Sequence, residues 1–413
     1  MLNRVRIFLG ILSLPLLLLP SANGQDLTEK EAVRFFLTLS PSAQESRAGT
    51  AVIEAQTRSW HLWPNPQSGY SHEGAGLTQY GTLQQTIPLN GRLGLLRQAG
   101  AAAVQVAEMQ ATYNLWKLCS DMRLAFYDLL FAQQREVVLR DSISQLQEVV
   151  RILRERETHG EGSLFDRLRA EREQADLQAE LLSARALTAQ ARSRLSSFFD
   201  GNVDPVLIRA QGEFRIAKEL PALADLLQLA FQSRQDYKAE KQVQEQLQWQ
   251  ERAASRLRIP EPVFFAGLKR AEESRGVRYG PYVGFGISIP IFDRGQTRVA
   301  ELEAELRRSG YREEILDQRV QSEVKGEYEA MRMRRQAVEQ YRLQFEEQGP
   351  QLERIAQVAY QEGELGILEL LDAYRVRRLS ILRTLELTAT SKQAEISLER
   401  AVGKPVMNPE VLP

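Results

Sequence analysis

The chain holds 413 residues, 43% of them hydrophobic and 26% charged, with a formal net charge of −1. This is the composition of a folded protein with ample material for a core. It excludes nucleic acid as a natural partner, because no basic excess is present to neutralise phosphates.

Residues 1–24 read as a secretory signal. Arg4 and Arg6 form a basic start, Ile7 to Leu19 an apolar stretch broken by Pro15, and Ala22-Asn23-Gly24 a small-residue cleavage site. The stretch falls short of the ~20 apolar residues of a spanning helix. Export is therefore expected, with a mature chain from about Gln25. Cys119 is the single cysteine, so no intramolecular disulfide can form.

Residues 27–60 predict two amphipathic helices. The first opens on Thr28 and Glu31 in capping-box spacing, and Pro64 and Pro66 stop the second. Residues 67–88 are rich in Gly, Ser, Thr, Tyr and Gln, and predict strands near 67–72 and 77–88. A long heptad-like run then extends from Gly91 to Gly160. Ile143, Leu146, Val149, Val150 and Leu153 form its seam, as do Leu124, Tyr127, Leu130 and Phe131. After a turn a second helix runs towards Gly201. Ala175, Ala179, Ala186 and Ala189 mark on it a face suited to close helix approach.

The same plan recurs. Ile87-Pro88 answers Ile289-Pro290, and Gly160, Leu195 and Gly201 answer Gly363, Leu398 and Gly403. The spacing predicts strands over 263–269 and 279–289, joined by a charged loop 270–278. In the latter strand Tyr279, Pro281, Val283, Phe285, Ile287 and Ile289 alternate with Gly280, Tyr282, Gly284, Gly286 and Ser288. Gly295 to Gly363 reads as a second rod. The expected organisation is a signal over 1–24, a first repeat over 25–208 with a helical hairpin 91–201, and a second over 209–413 with strands about 263–290 and a hairpin 295–403. A helix of such length is ~100 Å long, which serves no compact domain.

One apolar and one small or polar face is the pattern of a transmembrane β-barrel wall. Four strands cannot close a barrel, and an open edge is not viable in lipid. The strands are expected to come from several copies, three of which supply an even number. The alternative is a soluble periplasmic coiled-coil scaffold in which the sheet packs on the helices.

Ile289-Pro-Ile-Phe-Asp-Arg-Gly295, Gly363-Glu-Leu-Gly-Ile-Leu-Glu-Leu-Leu-Asp-Ala373 and Leu398-Glu-Arg-Ala-Val-Gly403 give the mature chain its resemblance to the outer membrane efflux protein (TolC) family. Trp63-Pro-Asn-Pro66 and Gln85-Thr-Ile-Pro-Leu-Asn-Gly-Arg92 resemble its heavy-metal, CzcC-like branch. The resemblance implies an α+β membrane protein. Its fold would be a homotrimeric outer-membrane β-barrel of four strands per chain, twelve in total, continued by a long periplasmic α-helical barrel. The partners implied are a periplasmic adaptor protein, an inner-membrane pump of the resistance-nodulation-division type, and outer membrane lipid.

Adaptor docking is expected at the rod tips: Gly160, Gly162, Ser163 and Leu164 in the first repeat, Gly363, Glu364, Leu365 and Gly366 in the second. The resemblance also places a periplasmic gate at Glu369 and Asp372, which share a helix face. Glu369 also suits the first turn of a helix capped by Gly366, where it complements the dipole. Trp60, Trp63, Tyr70, Tyr80, Tyr279 and Tyr282 suit interfacial belts. No catalytic motif is present, and His61, His72 and His159 lack ligand spacing with one another or with Cys119. No cofactor is expected.

Overall fold

The structure is a computed structural model, and it describes residues 25–74, 78–201, 203–216, 219–273, 275–345 and 348–407. The expected signal, 1–24, lies outside them. The described chain opens with β1 (Gln25–Leu27), α1 (Glu29–Leu39) and α2 (Pro41–Ser59). Thr28 caps α1 in a full capping box with Glu31, as its spacing predicts. Strands β2 (Gln67–Glu73) and β3 (Thr78–Thr86) lead to α3 (Arg92–Thr158), and α4 (Leu164–Ser196) returns. After β4 (Ile208–Ala210) come α5 (Leu223–Ser233) and α6 (Gln235–Ser255), then β5 (Pro262–Glu273) and β6 (Gly276–Ile287). The chain ends with α7 (Gln296–Phe345), α8 (Gln348–Gln361) and α9 (Ile367–Val402).

The 67 residues of α3 form one uninterrupted rod of about 100 Å. In the second rod the described helical residues are the 50 of α7 and the 14 of α8. Both rods begin the same way. Gly91 and Gly295 hold left-handed φ values of 75° and 81°, and each junction carries an Asx turn, with Asn90 accepting from Arg92 N at 3.0 Å and Asp293 from Gly295 N at 2.9 Å.

The two hairpins join edge to edge through β3 and β5 into a four-stranded antiparallel sheet of order β2-β3-β5-β6. Thr86 stands opposite Val263, and Thr78 opposite Ala271. Most of the loop expected over 270–278 is strand instead, for β5 runs to Glu273 and β6 starts at Gly276. Ion pairs allow the charges to sit in the strands, Arg270 with Glu272 at 3.7 Å and Arg278 with Glu273 at 3.5 Å.

Register fixes the two faces of this sheet. Leu83, Phe264, Leu268, Val283, Phe285 and Ile287 share one face, and all are exposed, Val283 by 74%. The other face carries Gln67, Gln84, Thr82 and Tyr80 together with Phe265 and Tyr282, whose rings stack at 5.4 Å. Gly284 makes that stack possible, since a Cβ there would meet the Phe265 ring at 2.4 Å. No helix among the described residues is long and apolar enough to cross a membrane.

The rods bury the seam read from the sequence. Ile143, Leu146, Val149, Val150 and Leu153 pack with Leu177, Leu181 and Leu370 in one core. On α4 the buried positions are Ala170, Leu177, Leu181, Ala184 and Thr188. The alanines at 175, 179, 186 and 189 are exposed, so the close-approach face is not the one packed within the chain. A second core at the waist joins α1, α3 and β4 around Phe36, Phe126 and Ile208. There β1 pairs in parallel with β4, Gln25 opposite Ile208. Neither this pairing nor α6 is evident from the sequence pattern.

Candidate functional site

Both rods reverse through the same device. At the first tip Glu161 N donates to Arg156 O at 2.9 Å and Gly160 N to Glu157 O at 3.0 Å. At the second, Glu364 N donates to Ala359 O at 2.8 Å and Gly363 N to Tyr360 O at 3.2 Å. These are paired Schellman bonds, closed by glycines at φ 75° and 78°. Ser163 then caps α4 by accepting from Phe165 N at 3.2 Å. Gly366 caps α9 through backbone alone. Gly162 cannot carry a side chain without displacement, because its Cβ would meet Glu157 N at 2.8 Å. A Gly363→Ala variant places an L-residue in the left-handed region and is expected to lose about 1–2 kcal/mol. Gly310→Ala, in the open interior of α7, is expected to gain about 0.5–1 kcal/mol. Thermal unfolding of the two variants checks both signs.

Behind the second tip Glu369 and Asp372 are exposed on α9 and line one groove of about 710 Å³ between α4, α8 and α9. Its walls also carry Arg169, Arg172, Glu173, Asp176 and Arg375, with Leu352, Ile355 and Leu368 as its apolar floor. Asp372 is paired with Arg375 on its own helix. Arg172 reaches Asp176 at 3.3 Å and Arg378 reaches Glu173 at 3.4 Å. Glu369 folds back over the start of α9, close enough that a Cβ on Gly366 would meet its Oε2 at 2.9 Å. Both carboxylates are thus brought together as their spacing predicts, but among arginines that the sequence gives no reason to place there. The tip residues of the first repeat lie on the other hairpin and do not line this groove. Exposed Leu164, Phe165 and Leu168 follow that turn.

A buried charge network holds the far end of α9. Arg123, 1% exposed, donates to Glu29 at 2.7 Å and to Glu399 at 2.8 Å. Burial opposes its charge, but the two carboxylates outweigh this and hold its pKa above the usual guanidinium value. Tyr127 Oη donates to the other oxygen of Glu29 at 2.7 Å, and its pKa is raised first by burial and then by that carboxylate. Glu399 also accepts from Val406 N and Met407 N, each at 2.9 Å. Lys392 pairs with Glu395 and lies 5.5 Å from the centre of the Tyr127 ring. The closing Leu398–Gly403 motif is therefore a structural weld. Its charges look like a solvated helix face in the sequence; only the Arg123 contact across 276 positions reveals otherwise.

Burial raises the Glu395 carboxyl pKa, Lys392 opposing. A raised folded-state value contributes stability below the ordinary carboxylate range, and that contribution is lost as pH rises through it. Glu395→Gln is expected to flatten the pH dependence of the unfolding midpoint just above that range, readable by thermal melts across pH. Burial pushes the Cys119 thiol up to about 12, so it stays protonated and inert. Among the described residues no three His, Cys, Asp or Glu side chains converge to hold a metal ion.

No protein-family model matches the sequence. The architecture is shared with solved membrane proteins: a protein from Pseudomonas aeruginosa (TM-score 0.74, 17% identity, 92% of this chain and 93% of that one) and CusC (0.72, 18%, 94% and 95%). A third is the outer membrane protein VceC of Vibrio cholerae (0.70, 17%, 91% and 96%). The fold is that of the TolC-like outer-membrane channels. In sequence, the chain is 26% identical over 337 residues to the cobalt-zinc-cadmium resistance protein CzcC of Cupriavidus metallidurans, covering 79% of this chain and 78% of that protein. The chain is thus similar in fold to solved outer-membrane channels and similar in sequence to a heavy-metal resistance protein of the CzcC type.

Proposed function

We propose that the chain is the outer-membrane exit duct of a tripartite efflux system. It passively conducts substrate delivered by an inner-membrane pump through a periplasmic adaptor. The observation that carries this reading is one chain holding an exposed apolar sheet face and a helical rod of about 100 Å. A soluble scaffold would have to cover that face, and no helix among the described residues does so. Three copies close the open edges β2 and β6 into a barrel of twelve strands, and the rods continue it into the periplasm. The division into two repeats, 25–208 and 209–413, gives each copy two hairpins of each kind.

The relationship to CzcC supports heavy-metal cations as cargo. The duct itself needs no ligand set, since selectivity can reside in the pump. The two Schellman tips dock the adaptor, and the pump is of the resistance-nodulation-division type. At the constriction Glu369 and Asp372 recur around the threefold axis, with Arg375 beside each Asp372. Such a ring can hold a closed iris through its ion pairs and admit cations when it opens.

The cargo is tested by cobalt, zinc and cadmium tolerance of cells lacking the chain. Restored tolerance on re-expression supports it; unchanged tolerance removes the metals. For the gate, Asp372→Asn with Glu369→Gln is expected to raise resting conductance in planar bilayers. Conductance equal to the parent's would remove these two residues from gating.

A further inference from the structure

The inner face of the sheet carries more than polar filler. Phe265, Tyr282 and Tyr80 form a ladder across β5, β6 and β3, with rings 5.4 Å and 5.1 Å apart. Lys269 ends it, its Nζ 5.7 Å from the centre of the Tyr80 ring. Cross-strand register puts Lys269 opposite Tyr80 on one side and Gly280 on the other. Lys269 is itself exposed, so the ammonium is left open. From Lys269 down to the start of β5 this face shows Gly267, Phe265 and Val263, with Thr82, Gln84 and Thr86 on β3 and Tyr282, Gly284 and Gly286 on β6. No charged side chain is among them. At the rim above, Glu273 is neutralised by Arg278 at 3.5 Å, and Glu73 stands at the end of β2. Lys269 is thus the charge set deepest into the strand body on this face.

We propose that Lys269, held on the aromatic ladder, forms with its copies a cationic ring that attracts small anions and sets the ion selectivity of the outer half of the channel. The proposal rests on the duct reading, which turns this face to the lumen. A ring of like charges around a pore with low-dielectric walls focuses the field and raises the local concentration of counter-ions. At the far end of the duct the Glu369 and Asp372 carboxylates favour cations, so the two ends carry opposite preference. Salt weakens such a ring, because the screening length is ~10 Å at 0.1 M.

The test uses the full-length protein extracted from the outer membrane and placed in planar bilayers under a KCl gradient at low ionic strength. Lys269→Gln is expected to lower the chloride-to-potassium permeability ratio by at least about threefold, and Lys269→Arg to keep it. The neighbouring Arg270→Gln alters the same net charge on the opposite, outer face and is expected to leave the ratio unchanged. A shift that vanishes in high salt completes the expected result. Open pores whose reversal potential ignores Lys269→Gln, or follows Arg270→Gln equally, would overturn the proposal while leaving the duct intact. A parent protein that forms no pore would remove the duct reading and this ring with it.

Discussion

Val283→Arg is expected to abolish assembly in the outer membrane. Val283 lies near the middle of β6, is 74% exposed, and faces the same side as Phe264 and Phe285. In the proposed barrel that side meets lipid. An arginine near the bilayer midplane costs about 2–4 kcal/mol, and three copies incur the cost together. The measurement is the fraction of chain in the outer-membrane pellet as a detergent-resistant oligomer, compared with Val283→Leu, which should behave as the parent. In a soluble sheet the exposed arginine would be harmless. Retention equal to the parent's would therefore contradict a lipid-facing wall.

Arg123→Leu is expected to destabilise the waist by about 3–5 kcal/mol, since it strands Glu399 in the interior without its cation. Glu399 is 0% exposed, and Glu29 only 12% at its side chain. Removing one partner of a buried pair costs far more than the pair contributes. The double variant Arg123→Met with Glu399→Met is accordingly expected to recover much of the loss. Chemical denaturation of the two variants checks the order. A double variant no better than the single one would show that Glu399 matters through Val406 N and Met407 N rather than through Arg123.

Much of this fold was legible because its signals are periodic. The seam from Ile143 to Leu153 repeats over many turns, and the β6 alternation places Val283, Phe285 and Ile287 on one face without any tertiary information. The glycines at 91, 160, 295, 363 and 403 punctuate the rods, and each takes a left-handed φ. What was not legible depends on contacts between distant segments. The pairing of β1 with β4 needs three residues from each end of the first half, too few to show alternation. The alanines of α4 promised close packing, yet the seam fell on Leu177, Leu181 and Ala184. Small residues mark where a neighbour can approach, not that one does.

The candidate site divides in the same way. The tip turns and the shared face of Glu369 and Asp372 follow from local spacing. Arg169 and Arg172, which face those carboxylates across the groove, come from α4, and no local rule connects α4 to α9. Lys269 likewise reads as the last residue of its strand, and only the register sets it beside Tyr80 on β3.

Closure of the barrel by several copies is the central claim. It is tested most directly by the mass of the detergent-extracted protein from separated inner and outer membranes, with the detergent contribution removed by light scattering. A particle of three chains, confined to the outer-membrane fraction, is the expected result. A monomer or dimer, or release from the membrane without detergent, would contradict it.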